Sequence, residues 1–388
     1  MKVLRFGYIA ILLNMILMVG CSSDTLAPVS STNTTNIILF IGDGMGNAHR
    51  LAARWATVGE TGMLSMDDMA THGWAQTGSA NDPVTDSAAA ATAMSTGVKT
   101  NNGVVGMDAD FNIVFSILEE AKSRGKMVGL VTTTQLTHAT PAAFASHISN
   151  RNFMTGIADQ MLDAEVDVIL GGGEDEFIPD TEIGCYPEAG ERNDGRNLLT
   201  EAIALGYTYV CEPADFSAVD PASTIRLLGL FADEGMPRPF SPSLAEMTQK
   251  AIDILSKSTK GFFLMVEGGQ IDWASHSNDA DNAISDTIEL DNAVKVARDY
   301  ILADNDTLVI VTADHETGGM SVSLSSSGAS GEDGPFGMPD GKDFYVNWAT
   351  TSHTASDVPV TALGPSSNML TGTFENTHIF DVMLDAID

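Results

Sequence analysis

Five short stretches of continuous apolar character constrain this chain more than any other feature. They are Asn36–Ile41 (N-I-I-L-F-I), Met127–Thr132 (M-V-G-L-V-T), Val166–Leu170, Gly261–Val266 (G-F-F-L-M-V) and Thr307–Thr312 (T-L-V-I-V-T). Runs of this kind form strands buried on both faces, which is the situation in a parallel sheet covered by helices. Helical patterns fall between them, at Ser116–Arg124, Leu244–Leu255 (opened by Pro242-Ser243) and Leu290–Leu302, with a last one at Phe374–Ile387. Strands alternating with helices predict an α/β fold with a large, mainly parallel central sheet and helices on both faces. No internal repeat is visible. Residues 174–245, rich in Pro, Gly and acids, read as an excursion from this unit, and Ser321–Trp348 as a Ser/Gly/Asp-rich surface loop.

Several of these runs deliver a carboxylate or hydroxyl. Asn36–Ile41 ends in Gly42-Asp43-Gly44-Met45-Gly46, whose glycines permit a sharp turn and leave Asp43 projecting. Met127–Thr132 leads to His138 and Thr140-Pro141, then to a helix-like stretch through His147 to Arg151. Gly261–Val266 delivers Glu267, and Thr307–Thr312 delivers Asp314-His315-Glu316. In open α/β sheets ligands bind at the carboxyl ends of the strands. Asp272 and His276 are four residues apart, so on a helix they share one face and suit a metal ion. With His315 and His353, these are more donors than one metal needs. Imidazole plus carboxylate favours zinc, and carboxylate plus hydroxyl favours magnesium. His353 alone would read as a surface histidine, and His49, His72, His147 and His378 have no comparable context.

Pro83–Ala93 reads P-V-T-D-S-A-A-A-A-T-A. Asp86 and Ser87 are strong N-cap residues, and the alanines after them have the highest helix propensity. A serine there lies beside unpaired N–H groups and the positive end of the helix dipole, which suits a residue that attacks phosphorus. Standing alone, the stretch is an ordinary capped helix.

Residues 1–21 read as an export signal: Lys2 and Arg5, the apolar run Phe6–Val19, then Gly20-Cys21. Met18-Val19-Gly20-Cys21 resembles a bacterial lipobox, in which Cys21 would be lipidated, and plain secretion is the alternative. Residues 22–35 form a Ser/Thr/Asn-rich tether, leaving 36–388 as the catalytic domain. Export to the periplasm or beyond makes a disulfide between Cys185 and Cys211 the natural expectation. The chain has 19 Lys+Arg against 52 Asp+Glu, a net charge of −33. Such a surface repels nucleic acid, so an anionic substrate must find its positive charge inside the site.

G-D-G-M-G, T-D-S-A-A-A-A-T-A, T-H-A-T-P-A-A-F, V-E-G-G-Q-I-D-W-A-S-H, T-A-D-H-E-T-G-G and S-H-T-A-S-D-V-P-V occur in this order. Together they resemble the motifs of the alkaline phosphatase family, from about Asn36 to the C-terminus. The resemblance implies a phosphate monoesterase with Ser87 as nucleophile, two Zn²⁺ ions and one Mg²⁺. It assigns Asp272, His276 and His353 to the first zinc, and Asp43, Asp314 and His315 to the second. Asp43, Glu267 and Thr140 would reach the magnesium, and Arg151 would clamp phosphate. Some bacterial members carry Asp where this chain has His138, and Lys where it has Trp273. The pair therefore bears on the third metal site and on substrate binding. The resemblance also allows a homodimer, but the stretch between Gly319 and His353 is short, so no dimer contacts carry over. A phosphodiesterase or sulfatase on the same scaffold competes with this reading, as does a non-enzymatic exported metal- or phosphate-binding lipoprotein. Ser87 followed by alanines lacks the C/S-x-P-x-R context of a sulfatase, and a binder needs no nucleophile on a helix N-terminus.

Overall fold

The computed structural model of the chain describes residues 36–302 and 306–387. The export signal, the tether and Cys21 lie outside the described residues.

Fifteen strands are named in chain order. They are β1 (Asn36–Gly42), β2 (Thr71–Gln76), β3 (Met127–Gln135), β4 (Val168–Gly172) and β5 (Tyr207–Val210). Then follow β6 (Arg226–Leu230), β7 (Phe262–Gly268), β8 (Thr307–Ala313), β9 (Glu316–Thr317) and β10 (Ser321–Ser323). The last are β11 (Asp333–Gly337), β12 (Asp343–Asn347), β13 (His353–Thr354), β14 (Val358–Leu363) and β15 (Gly372–Glu375).

Ten of them make one sheet in the order β15-β2-β14-β8-β1-β7-β3-β4-β6-β5. The run from β8 to β5 is parallel throughout. Only β14 is reversed, antiparallel to both β8 and β2. All seven residues of β1, β7 and β8 are buried, because the helix Ala280–Ile301 packs on all three and the helices Leu244–Leu255, Ile117–Ser123 and Ala139–Ala145 also pack on β7. Continuous apolar sequence is what a strand covered on both faces requires.

The register places the strand ends level. Ile41 pairs with Glu267, and Gly42 with both Gly268 and Ala313. The carboxyl ends of β3, β7, β1 and β8 therefore form one rim, and the side chains there are neighbours.

Four segments differ from the sequence reading. Residues 174–245 are not merely an excursion, since β5 and β6 lie within them and extend the sheet. Ser321–Trp348 is not a loop: β10, β12 and β11 form a small antiparallel sheet, with Phe344 and Val346 buried against Ala52, Ile284 and Met338. The Ser and Gly around them dilute the alternation of D-F-Y-V-N. The last helix is shorter than expected, His378–Ile387, because Gly372–Glu375 pairs with β2 instead. The helix after His138 stops at Ala145, since Ser146 is extended and Ile148 pairs with Val105. Arg151 consequently lies in a turn.

Candidate active site and metal centre

The helix Ser87–Thr96 is capped by Asp86, whose Oδ1 accepts from Ala89 N–H at 3.0 Å. Ser87 is thus the first helical residue, where backbone donors are unpaired and an anion is favoured. Its hydroxyl is buried and lies 3.3 Å from His315 Nε2.

Three groups of donors gather around it. Asp272, His315 and His353 form the first, Asp43, Asp314 and His315 the second, and Asp43, His138 and Glu267 the third. In each group the donor atoms lie within 4.8 Å of one another. His276 joins the first group: its Nε2 is 3.1 Å from His353 Nε2 and 3.3 Å from Asp272 Oδ2. Asp272 and His276 do share one helix, Gln270–His276. His353 arrives on β13, which pairs with β9 so that His353 stands opposite Thr317.

The hydrogen bonds around the imidazoles decide what this cluster can hold. His276 Nδ1 faces the Thr351 carbonyl at 2.6 Å, and His353 Nδ1 faces the Thr85 carbonyl at 2.9 Å. A carbonyl only accepts, so each neutral ring carries its proton on Nδ1 and turns a lone pair on Nε2 toward the other. Two lone pairs beside the Asp272 carboxylate need a cation or a proton between them. The same holds on the rim, where Asp43 Oδ1 and Oδ2, Asp314 Oδ2, Glu267 Oε1 and Thr140 Oγ1 are buried with no hydrogen-bond partner. Uncompensated buried acceptors of this number are not tolerated without cations or protons.

The titration behaviour reports the same crowding. Burial, then the charges of Asp314, Asp272 and Glu267, push the Asp43 carboxyl well above its usual range. Burial pushes Glu267 up to about 7, with Asp314 adding to it against hydrogen bonds such as that from Thr132. His276 is raised to about 9, chiefly by its hydrogen bond to Asp272. His138 is lowered to about 3 by burial and then by the Arg151 charge. A bound metal cation would relieve this crowding by favouring the ionised carboxylates and neutral imidazoles.

Arg151 is held by two partners, donating from Nη1 to Asp86 Oδ2 at 3.0 Å and lying 3.0 Å from His138 Nε2 through Nη2. The residue that caps the helix of Ser87 thereby also positions the guanidinium. Trp273 stands edge-on to His138 with ring centres 6.1 Å apart.

Sequence reasoning missed several supporting groups. Thr317 Oγ1 donates to Asp272 Oδ1 at 2.5 Å and lies 3.2 Å from His315 Nδ1, so it joins the first two donor groups. Its place two residues after His315, across the strand pair, was the only available signal. Thr132 and Thr134 both donate to Glu267 Oε2. Gly44, at φ +72°, is required: a Cβ there would come within 2.9 Å of Asp272 Oδ1 and 2.8 Å of Thr317 Oγ1. His49, buried and bonded to Ser275 Oγ at 2.9 Å, supports the helix Gln270–His276 from behind. Away from the site, Cys185 and Cys211 are joined as a disulfide.

Comparison with known proteins agrees with this geometry. The family model described as alkaline phosphatase matches residues 34–335 and 341–388. Alkaline phosphatase 3 of Bacillus subtilis is 36% identical over 424 residues, covering 89% of this chain and 87% of that protein. The solved alkaline phosphatase from the Antarctic bacterium TAB5 is 33% identical with a TM-score of 0.79, covering 92% of this chain and 98% of that one. A variant of it in which one histidine is replaced by aspartate, with Mg bound in the M3 site, is 32% identical with a TM-score of 0.78 and the same coverage. The chain belongs to the alkaline phosphatase family and is a phosphomonoesterase.

Proposed function

We propose that the chain hydrolyses phosphate monoesters through a phosphoserine at Ser87, using two zinc ions and a magnesium ion held by the three donor groups. The observation that carries this reading is Ser87 itself. Its buried hydroxyl stands at a helix N-terminus, beside donor groups whose buried acceptors face one another without hydrogen-bond partners.

Asp272, His276 and His353 suit one zinc, Asp43, Asp314 and His315 the other, and Asp43, Glu267, Thr140 and His138 surround the third position. When bound, the metals supply Lewis acidity that lowers the pKa of a coordinated hydroxyl and neutralises charge on phosphate oxygens. Ser87 Oγ attacks phosphorus in line, forming the Oγ–P bond as the bond to the leaving oxygen breaks, and the leaving alkoxide takes a proton from water. Water then attacks the phosphoserine, returning the Ser87 hydroxyl and releasing inorganic phosphate. Arg151, fixed by Asp86, offers a planar fork to two non-bridging oxygens, and the N-terminus of Ser87–Thr96 adds backbone donors. Trp273, packed edge-on to His138, would contact the substrate beside Arg151.

The test is trapping with labelled phosphate at mildly acidic pH. Wild type and Arg151→Ala retain covalent label on the peptide containing Ser87, whereas Ser87→Ala retains none and loses turnover by several orders of magnitude. Label persisting in Ser87→Ala would place the nucleophile elsewhere. Rates on p-nitrophenyl phosphate against its diester distinguish the monoesterase from a phosphodiesterase.

We further propose that the protein is exported, with residues 1–21 as its signal, residues 36–388 as the catalytic domain and Cys21 as a lipid anchor to the membrane. The composition of residues 1–21 supports this. Among the described residues no helix is long and apolar enough to cross a membrane.

A further inference from the structure

A separate acid cluster lies where residues 174–192 meet the carboxyl ends of β3, β4 and β6. Oxygens of Asp175, Glu191 and Glu234 lie within 4.8 Å of one another. Glu191 N–H donates to the Asp175 carbonyl at 2.8 Å, and Gly173 N–H to the Glu234 carbonyl at 3.0 Å, so backbone contacts fix all three segments. On a chain with 52 acidic residues, a surface acid cluster alone carries little.

Two buried atoms set this one apart. Glu176 is 2% exposed, next to Asp175 in sequence and within range of the Glu234 charge, and its Oε2 lacks any hydrogen-bond partner. Gln135, 7% exposed at the end of β3, donates through Nε2 to Glu234 and leaves its Oε1 buried without a donor. The two meet over Gly173, at φ +91°, where a Cβ would stand 2.7 Å from Glu176 Oε2 and 3.0 Å from Gln135 Cβ. Glycine is required there, since any side chain would run into the Glu176 carboxylate. Burial, then the charge of Asp175 and that of Glu234, push Glu176 well above its ordinary range. Burial also raises Asp175 to about 6, with Glu234 and Glu191 adding to it.

We propose that Asp175, Glu176, Glu191 and Glu234, with the Gln135 amide oxygen, form a calcium site separate from the donor groups around Ser87. The donor set is all oxygen, without the imidazole or thiolate that zinc prefers. Several carboxylates on irregular segments, free to bind through one oxygen or two, match the high and flexible coordination of Ca²⁺ better than the strict octahedron of Mg²⁺. The ion would also act on the active site as a brace. Glu234 precedes Gly235, over which the Trp273 ring packs, and Met236, whose carbonyl accepts from Gln270 Nε2 at 2.7 Å. The segment is thereby tied to the helix that carries Asp272 and His276.

Equilibrium dialysis with radioactive calcium, on the full chain in saturating zinc and excess magnesium, tests this directly. Wild type binds one calcium per chain with a Kd on the order of 10⁻⁴–10⁻³ M, the range of extracellular calcium modules. The double variant Glu191→Gln/Glu234→Gln binds it at least ~10-fold more weakly, because two charged ligands are lost. Thermal unfolding adds a readout that a structural role would not give. In calcium-free buffer the double variant is as stable as wild type or more so, since like-charge repulsion is relieved. In calcium the order reverses. Gln135→Ala, which removes the amide oxygen together with the Nε2 donor to Glu234 but no charge, also weakens calcium binding. Equal calcium binding by wild type and double variant overturns the site, as does a double variant already less stable without calcium. Displacement of calcium by magnesium at equal concentration overturns the choice of ion.

Discussion

Replacing Thr317 by valine keeps the shape of a fully buried side chain and deletes one hydroxyl. That hydroxyl makes two connections at once, donating to Asp272 Oδ1 and accepting from His315 Nδ1. The first is a hydrogen bond to a charged group, worth ~1.5–3 kcal/mol. Loss of the second leaves a buried N–H unpaired, at ~1–3 kcal/mol. It also frees the His315 ring to turn and to change tautomer. Partners that orient metal ligands typically contribute 10–100-fold in affinity or activity, equivalent to ~1.4–2.7 kcal/mol. Thr317→Val is therefore expected to lower zinc affinity by ~10–100-fold, with kcat/KM falling further when zinc is limiting. Zinc affinity is measured by competition with a chromogenic chelator, and kcat/KM on p-nitrophenyl phosphate in limiting and saturating zinc. Thr317→Ser, which restores the hydroxyl, should recover most of both. A valine variant within threefold of wild type in zinc affinity, or a serine variant as impaired as the valine, would refute the reasoning.

His138→Asp adds an oxygen ligand and a negative charge beside Asp43 and Glu267, so magnesium content measured by metal analysis should rise; an unchanged content would remove His138 from the third position. Away from the donor groups, His147 is half-buried, which lowers its pKa, but hydrogen bonds to Glu119 at 3.0 Å and to the Gly106 carbonyl at 2.6 Å outweigh this and raise it. A raised histidine stabilises fully below its unfolded pKa of ~6.5 and loses that contribution as pH rises through the folded value. Glu119 is shifted the opposite way, burial being outweighed by bonds from His147 and Ser116, so its contribution is lost as pH falls through its own depressed value. The stability gap between wild type and His147→Gln, followed by urea unfolding, should be widest near pH 5–6 and narrow toward pH 8–9; a gap that widens with alkalinity would contradict it. Cys21→Ser should move the protein from membrane to soluble fraction, and an unchanged distribution would favour simple secretion.

The central strands were legible because burial on both faces leaves them no polar positions, as in N-I-I-L-F-I and G-F-F-L-M-V. Their carboxyl-end acids were legible for the same reason, since Asp43, Glu267 and Asp314 each follow an uninterrupted apolar run. Two strands beyond β8 in the sheet were not. β2, T-H-G-W-A-Q, and β14, V-P-V-T-A-L, carry polar residues or proline and depend on neighbours far away in sequence. His353 had to be placed by motif, because its position is set by the β9–β13 pairing and by a hydrogen bond to Thr85, 268 residues earlier. Asp86 was legible only as a cap. Its grip on Arg151 follows from where Ser146 breaks a helix, which propensity alone does not foretell.

The position of β1 between β7 and β8 also sets the pace at which the molecule can assemble. The strand emerges first, yet Gly42 finds its partners only at Gly268 and Ala313. At a synthesis rate of ~5–20 residues per second, N-I-I-L-F-I waits roughly 15–50 s before both flanking strands exist. During that interval it is an unpaired apolar edge, the kind of segment that recruits other chains. Contacts of such span also make folding slow once synthesis ends. The donor groups that use Asp314 and His315 cannot come together until β8, which delivers both residues, has docked.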